Sequence, residues 1–131
     1  MYSLTPSGSG YDEQVLFSPI SGRDGVLLES PILRTRGGRL FGTSTIGGIG
    51  CHDTGCGIVF ELVPSGLGYR FHKRYRFTGP PDGAEPEWSG LVAGPGGALY
   101  GTTRSGGSAS NCSDGGPGGV HGCGTVYSID T

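Results

Sequence analysis

The sequence predicts an all-β domain, and two observations carry that prediction. The first is an internal repeat: residues 31–44 read PILRTRGGRLFGTS and residues 90–103 read GLVAGPGGALYGTT, while GCGIVFELVPSG from Gly55 is echoed by GCGTVYSIDT from Gly122. The second is the lack of helical periodicity, because glycine or proline interrupts nearly every window that could hold three helical turns. Short strands joined by turns are therefore expected throughout.

The two pairs of matched segments differ in spacing. The second pair is spaced more widely than the first, and the extra residues fall in a Gly/Ser-rich stretch of the second copy. A period of about 60 residues is typical of a tandem array whose units bury their cores by stacking on neighbours. We predict one repeat domain over residues 1–131, with repeat 1 at about 1–66 and repeat 2 at about 67–131.

Runs of β-branched and aromatic residues between turn signals predict the strands of the first copy. A strand at 2–5 ends at Pro6-Ser7-Gly8, and a second is expected at 14–18. Strands at 31–35 and 40–45 flank a turn at Gly37-Gly38, since paired glycines supply the positive φ that tight hairpins require. After the first cysteine loop, a strand at 58–63 ends at Pro64-Ser65-Gly66.

The second copy repeats this order. Its predicted strands, with a turn at Pro95-Gly96-Gly97 between the second and third, lie at 69–78, 90–93, 99–103 and 125–129. Each period thus holds four strands joined by hairpin-like turns. Four antiparallel strands per unit of this size are typical of a β-propeller blade.

The phase of the repeat predicts self-association. The chain opens with YSLTPSG, which matches FELVPSG at 60–66, and closes with YSIDT, which matches the same strand. Two blades cannot close a propeller ring. We therefore expect either a fragment of a longer array or a subunit that completes a ring of six or eight blades by oligomerisation. Unclosed sheet edges would otherwise invite pairing with another chain.

Composition excludes several classes of partner. Charged residues make up 15% of the chain and the formal net charge is -2, which gives no reason to expect nucleic acid or an anionic membrane as partner. No run of about 18 apolar residues predicts a membrane span. The N-terminal MYSLTPSGSG lacks the basic start and the apolar core of a signal peptide.

Four cysteines stand at matching places in the two copies, just ahead of the last matched strand. Four cysteines allow three connectivities, and the repeat favours the two local pairs, Cys51–Cys56 and Cys112–Cys123. Disulfides favour an oxidising compartment, and so an extracellular or cell-surface protein. The alternative is a zinc site, although structural zinc usually takes more closely spaced cysteines.

Each cysteine loop also holds a histidine, His52 or His121. These residues would complete the zinc site, or serve a lyase-like propeller enzyme. The interpretation that we prefer is turn chemistry, because neighbouring Asp and Gly residues favour turns. No nucleophile, metalloprotease or calcium-loop motif occurs in the chain. We therefore predict no catalytic residue, no cofactor and no metal.

The segment YRFHKRYRF at 69–77 alternates aromatic and basic side chains. A strict period of two would place its four aromatic side chains on one face with Lys73. The basic side chains of the other face, which are candidates for binding an anionic ligand, are Arg70, His72, Arg74 and Arg76. The alternative that we prefer is a solvated strand whose charges protect a sheet edge. The equivalent strand of the first copy carries Asp12 and Glu13, which leaves open a subunit contact by charge complementarity.

Trp88 is the single tryptophan of the chain and stands just before the strand predicted at 90–93. Aligned with the first copy, it takes the position of Glu29. Its indole suits stacking on a sugar or anchoring an interface. It equally suits filling a gap between two blades. Trp88 is therefore a candidate ligand-binding residue.

The motif order L-[FY]-G-T-[ST]-[ST], then G-G, then G-C-G-x-V-[FY]-x-[LI]-x-P-S-G, then an aromatic strand and D-G, resembles the Gloeo-Verruco (GloVer) tandem repeat. The matching segments are 40–45 with 55–66, 99–104 with 122–129, and the link at 77–84. The corresponding link of the first copy, around 17–26, fits more loosely. The resemblance implies a bacterial protein that is secreted or displayed on the surface, and it implies no catalytic residues.

Together these features predict a non-enzymatic extracellular module that self-associates through its edge strands as a homo-oligomer. The alternative is a carbohydrate-binding, lectin-like propeller that uses Trp88, by analogy of fold. A lyase-like propeller enzyme that uses His52 or His121 is the third possibility.

Overall fold

The computed structural model describes residues 1–20, 24–88, 90–108, 112 and 120–131. The all-β prediction is confirmed, and every described strand pair is antiparallel. Helical structure in these residues includes two short 3₁₀ turns, His52–Thr54 and Pro95–Gly97. Glycine and proline at the turns keep the strands between them short.

The eleven described strands form four small sheets. They are β1 (Tyr2–Ser7), β2 (Gly10–Val15), β3 (Leu33–Arg34), β4 (Leu40–Ser44), β5 (Ile58–Ser65), β6 (Gly68–Arg76), β7 (Gly83–Ala84), β8 (Val92–Ala93), β9 (Leu99–Thr103), β10 (Ser105–Gly106) and β11 (Thr125–Ile129). Strands β1 and β2 form the N-terminal hairpin, and β3-β4-β5-β6 form the central sheet. Strands β8, β9 and β11 form the C-terminal sheet, in the order β11-β9-β8, and β7 pairs with β10.

The N-terminal hairpin corrects one predicted strand. The strand expected at 14–18 runs instead over Gly10–Val15, where Tyr2 pairs with Val15. Gly8 adopts a φ of 58° in the two-residue turn Gly8-Ser9, so β2 begins at Gly10 and lies against β1. Leu16 and Phe17 follow β2: their N–H groups donate to the Met1 carbonyl, and their side chains pack against the central sheet.

The central and C-terminal sheets share one register. Leu40 pairs with Leu62 in the central sheet, and Leu99 pairs with Ile129 in the C-terminal sheet. In the alignment of the two copies, β9 corresponds to β4 and β11 corresponds to β5. In each sheet a glycine lies opposite an aromatic residue, Gly42 opposite Phe60 and Gly101 opposite Tyr127. A larger residue would not fit there, because a Cβ at Gly42 would stand closer than 3.0 Å to the Phe60 ring. This glycine helps to fix the register.

The connections before β5 and β11 also correspond. The Gly57 N–H donates to the Gly47 carbonyl at 3.1 Å, and the Gly124 N–H donates to the Gly106 carbonyl at 3.1 Å. Most of the Gly/Ser-rich stretch that lengthens the second copy, 109–111 and 113–119, lies outside the described residues. Strands β9 and β11, which precede and follow this stretch, are nevertheless paired as β4 and β5 are in the first copy.

Two apolar cores lie on opposite faces of the central sheet. One core joins Phe41 and Val59 of that sheet to residues of the C-terminal sheet, Leu99 among them. The other joins Phe60 and neighbouring residues of the central sheet to the segment that follows the N-terminal hairpin. The central sheet therefore separates the N-terminal hairpin from the C-terminal sheet.

Candidate functional site

Both predicted disulfides are confirmed. Cys51 is bonded to Cys56, with their Cα atoms 5.0 Å apart, and Cys112 is bonded to Cys123, with their Cα atoms 5.3 Å apart. Cys51 and Cys56 belong to the core between the central and C-terminal sheets. Their sulfur atoms are consumed in covalent bonds, which leaves no thiolate from these four residues for the alternative zinc site.

The two loop histidines do not come together with other ligands. His52 is exposed in a 3₁₀ turn, and His121 is exposed just before β11. Among the described residues, no group of three or more His, Cys, Asp and Glu side chains could hold a metal ion. The histidines thus carry no recognisable metal chemistry in this part of the chain.

Strand β6 contains a bulge that changes the predicted pattern of faces. The register against β5 shifts between Val59 and Phe60, so that Tyr75 pairs with Val59 while Lys73 pairs with Phe60. A bulge inserts one unpaired residue into a strand, here Arg74, and reverses the alternation beyond it. The prediction that all four aromatic side chains share one face with Lys73 is therefore wrong for Tyr75 and Phe77.

The same bulge divides the basic candidates. Arg70 and His72 pair with Val63 and Glu61 on one face, whereas Arg76 pairs with Ile58 on the other. All four candidates (Arg70, His72, Arg74 and Arg76) are exposed. They form no continuous basic face. Their role in ligand binding stays a prediction.

Arg74 has a structural contact. Its Nη1 lies 3.7 Å from Oε2 of the buried Glu61, and Arg39 pairs with Oε1 of the same carboxylate. The Nη2 of Arg74 also donates to the Asp130 carbonyl at 3.0 Å, just after β11. Because two guanidinium groups meet one buried carboxylate, this network compensates a charge that would be costly to bury alone.

Trp88 is a surface residue, with 67% of its side chain exposed. The guanidinium carbon of Arg104 lies 5.8 Å from its ring centroid, within the range of a cation–π contact. The alignment of Trp88 with Glu29 is corrected by the hydrogen bonds. Arg104 donates to Glu87, and Thr45, the counterpart of Arg104 in the first copy, donates to Glu29. Glu87 is therefore the counterpart of Glu29, and Trp88 belongs to a one-residue insertion.

The carboxylates beside Trp88 are buried and hydrogen-bonded. Glu87 accepts from Arg104 Nη1 at 3.0 Å, and Glu85 accepts from the Ser105 hydroxyl at 2.8 Å. The Glu85 N–H donates to the Cys56 carbonyl at 2.9 Å, which ties this loop to the first cysteine loop. These contacts hold two loops together, a structural role that explains why the carboxylates are buried.

The pairing of sheet faces is a feature that the sequence does not reveal. Residues directly opposite each other in an antiparallel ladder share a face, and faces alternate along a strand. The front face of the central sheet is defined by Leu33, Phe41, Thr43, Val59 and Glu61. Its back face is defined by Leu40, Gly42, Ser44, Ile58, Phe60 and Leu62.

The C-terminal sheet has the same two faces because its register is the same. Its front face is defined by Val92, Tyr100, Thr102, Val126 and Ser128. Its back face is defined by Ala93, Leu99, Gly101, Thr103, Thr125, Tyr127 and Ile129. In the core between the sheets, Phe41 and Val59 of one front face pack with Leu99 and Tyr127 of the other back face. The internal interface is thus a front face on a back face.

The front face of the C-terminal sheet is open. Val92, Tyr100 and Val126 are 65%, 43% and 79% exposed. Their counterparts in the central sheet include Phe41 and Val59, which are both 0% exposed. Together with the adjacent Gly90 and Gly101, these side chains line a shallow, almost wholly apolar depression. The same positions of the repeat are therefore buried in the central sheet and exposed in the C-terminal sheet.

The N-terminal hairpin carries a second open apolar face. The cross-strand pairs Tyr2–Val15 and Leu4–Glu13 lie on it, and Pro6 pairs with Tyr11 on the same side. We call this set the outer face of the hairpin. Four of its side chains, Tyr2, Leu4, Tyr11 and Val15, are between 52% and 67% exposed. Exposed apolar patches of this kind mark interaction sites more often than scattered single residues do.

Tyr127 carries the one buried side-chain polar atom without a hydrogen-bond partner among the described residues, its hydroxyl oxygen. The corresponding residue of the central sheet is Phe60. We expect Tyr127→Phe to raise the free energy of unfolding by about 1 kcal/mol, because an unsatisfied buried hydroxyl is removed. Urea unfolding at pH 7 measures this change. Equal or lower stability of the variant would contradict the buried position of the hydroxyl.

Burial also raises the pKa of Tyr127 far above the ordinary value of 10.0. A tyrosine whose folded-state pKa is raised gives stability that is present below the unfolded-state pKa and is lost as pH rises through the folded-state value. Wild-type protein should therefore lose stability above about pH 10, and Tyr127→Phe should lose less over the same range. Unfolding midpoints at pH 7 and above pH 10 test this difference.

Comparisons with known proteins find no match for this chain. A scan against protein-family models finds no match, and neither the search of curated proteins nor the search of solved structures returns one. No helix among the described residues is long and apolar enough to span a lipid bilayer.

Proposed function

We propose that this chain is a non-enzymatic structural module that self-associates by stacking units of one repeat. The proposal is based on one observation: the central and C-terminal sheets have the same register. The same front-face positions are buried against a neighbour in the central sheet and left open in the C-terminal sheet. Burying Val92, Tyr100 and Val126 as their counterparts are buried would contribute about 1.5–3 kcal/mol for each large apolar side chain.

The units have the character of propeller blades in this proposal. The central sheet is an antiparallel meander of four consecutive strands, which is the arrangement of a blade. The C-terminal sheet corresponds to the first three strands of the central sheet, β3, β4 and β5. Its strand β11 therefore lies at a sheet edge, whereas the corresponding strand β5 is paired with β6. An edge strand offers unpaired backbone groups to a further strand, so pairing of edges would add to the stacking of faces.

An extracellular location, in keeping with the Gloeo-Verruco resemblance, is part of the proposal. The two disulfides are compatible with an oxidising compartment. Glycan binding by Trp88 and an enzymatic role for the loop histidines stay predictions. The contacts of Arg104 and Glu87 beside Trp88 support a structural role of this loop at least as well as a sugar site.

Light scattering of the native chain under non-reducing conditions tests the proposed function. We expect a mass several times the 13.4 kDa of one chain. A discrete trimer or tetramer would fit a ring of six or eight blades, and a broad distribution of larger masses would fit an open array. A single species at the mass of one chain, at all concentrations up to the millimolar range, would contradict self-association.

A further inference from the structure

The N-terminal hairpin presents a back face of the repeat. Its pairs Pro6–Tyr11 and Ser7–Gly10 recur further along the chain as Pro64–Tyr69 and Ser65–Gly68 in the central sheet. The sequences YSLTPSG and FELVPSG align with the same offset. Tyr2 and Leu4 therefore occupy the positions of Phe60 and Leu62, and both of these belong to the back face of the central sheet.

The two open faces therefore suit each other in the way that the two faces of the internal interface do. Within the chain, a front face packs on a back face, with Tyr127 and Ile129 of the back face beside Phe41. The C-terminal sheet offers an open front face. The outer face of the hairpin offers an open back face, with Tyr2 and Leu4 where the internal interface has Tyr127 and Ile129.

These two faces cannot meet within one copy. The core with the C-terminal sheet lies on the front of the central sheet, and the core with Met1, Leu16 and Phe17 lies on its back. The central sheet stands between the hairpin and the C-terminal sheet. Among the described residues, the outer face of the hairpin therefore cannot cover the front face of the C-terminal sheet of its own copy, but the same face of a second copy can.

We propose that the front face of the C-terminal sheet of one copy binds the outer face of the N-terminal hairpin of a second copy, head to tail. This inference rests on the proposed function and names the contact that the proposed self-association uses. The contact joins two different surfaces. It leaves one open face at each end of a dimer, so that further copies add in the same direction until a ring closes or a filament grows.

Single glutamate substitutions separate the two surfaces. Val126→Glu places a charge on the front face of the C-terminal sheet, and Leu4→Glu places one on the outer face of the hairpin, opposite Glu13. Both residues are more than half exposed, so we expect both variants to fold. Leu67→Glu is the matched control, because Leu67 is 96% exposed at the turn between β5 and β6 and belongs to neither face. Tyr100→Glu and Tyr2→Glu provide a second variant of each surface, and thermal unfolding of every variant reports on its fold.

The decisive measurement is the mass of each variant and of a mixture, by light scattering at one protein concentration. We expect Val126→Glu and Leu4→Glu each to fall to 13.4 kDa, and Leu67→Glu to keep the wild-type mass. An equimolar mixture of Val126→Glu and Leu4→Glu retains one intact pair of surfaces, so it should form a dimer and no larger species.

Each other outcome overturns the inference in a distinguishable way. If wild type assembles and the folded face variants keep its mass, face docking is wrong and self-association stands through another surface, such as the edge of β11. If the single variants become monomeric and their mixture stays monomeric, the head-to-tail pairing is wrong. If wild type itself is monomeric, the proposed function fails together with this inference.

Discussion

Gly55→Ala is expected to destabilise the fold by about 3 kcal/mol or more, a large effect for the addition of one methyl group. Gly55 has a φ of 76°, which residues with a Cβ rarely adopt. A Cβ there would also stand closer than 3.0 Å to the Gly47 carbonyl oxygen, which is backbone and cannot move away alone. The same carbonyl accepts from the Gly57 N–H at 3.1 Å, so the substitution disturbs the start of β5. The change is measured as the loss of unfolding free energy in urea.

Gly37→Ala is the control for this prediction. Gly37 lies in the turn between β3 and β4, and a Cβ at this position would meet nothing within 4 Å. Its φ does not lie in the left-handed range, so we expect a change within about 0.5 kcal/mol. Similar losses in the two variants would show that the close approach of Gly55 to Gly47 does not limit stability.

Phe41→Ala is expected to cost about 3–5 kcal/mol, the usual range for removing a fully buried aromatic side chain. Phe41 is 0% exposed and packs in the core between the central and C-terminal sheets. Removal of the ring leaves a cavity at the contact of two sheets, and the surrounding side chains relax only partly to fill it. Urea unfolding at low protein concentration measures the loss without a contribution from assembly.

Tyr100→Ala is the matched control, because Tyr100 holds the same position in the second copy of the repeat. It is 43% exposed on the open front face, so we expect a loss below about 1 kcal/mol in the isolated chain. Equal losses at Phe41 and Tyr100 would contradict the assignment of one buried and one open front face.

The repeat predicted the parts of the fold that depend on local chemistry. The turns at 37–38 and 95–97, the strands β4, β9 and β11, and the disulfide pairs Cys51–Cys56 and Cys112–Cys123 could be predicted from the sequence because each depends on neighbouring residues. The segments Pro6-Ser7 and Pro64-Ser65, which were predicted to end strands, lie within β1 and β5. The start of β2 was missed, since the pairing of Tyr2 with Val15 is set by a tight turn at Gly8 rather than by the composition of the strand.

The features of the candidate site depend on distant packing, which periodicity does not encode. Nothing in the alternation of residues 69–77 marks Arg74 as the bulge that separates Arg76 from Arg70 and His72. Val59 and Val126 occupy the same position of the repeat, yet one is 0% and the other 79% exposed. Where no bulge intervenes, alternation assigns each residue to a face, but only the stacking of sheets decides which face is covered.

The pairing around the second cysteine loop shows that the geometry of the sheets does not depend on the length of the connection between the strands. The segment 107–121 is longer than its counterpart in the first copy, yet the Gly106 N–H donates to the His121 carbonyl as the Gly47 N–H donates to the Thr54 carbonyl. The entropy of closing a longer loop grows only slowly with its length. The pairing of β9 with β11 therefore does not depend on the length of this connection, and we expect a peptide inserted into it to leave that register unchanged.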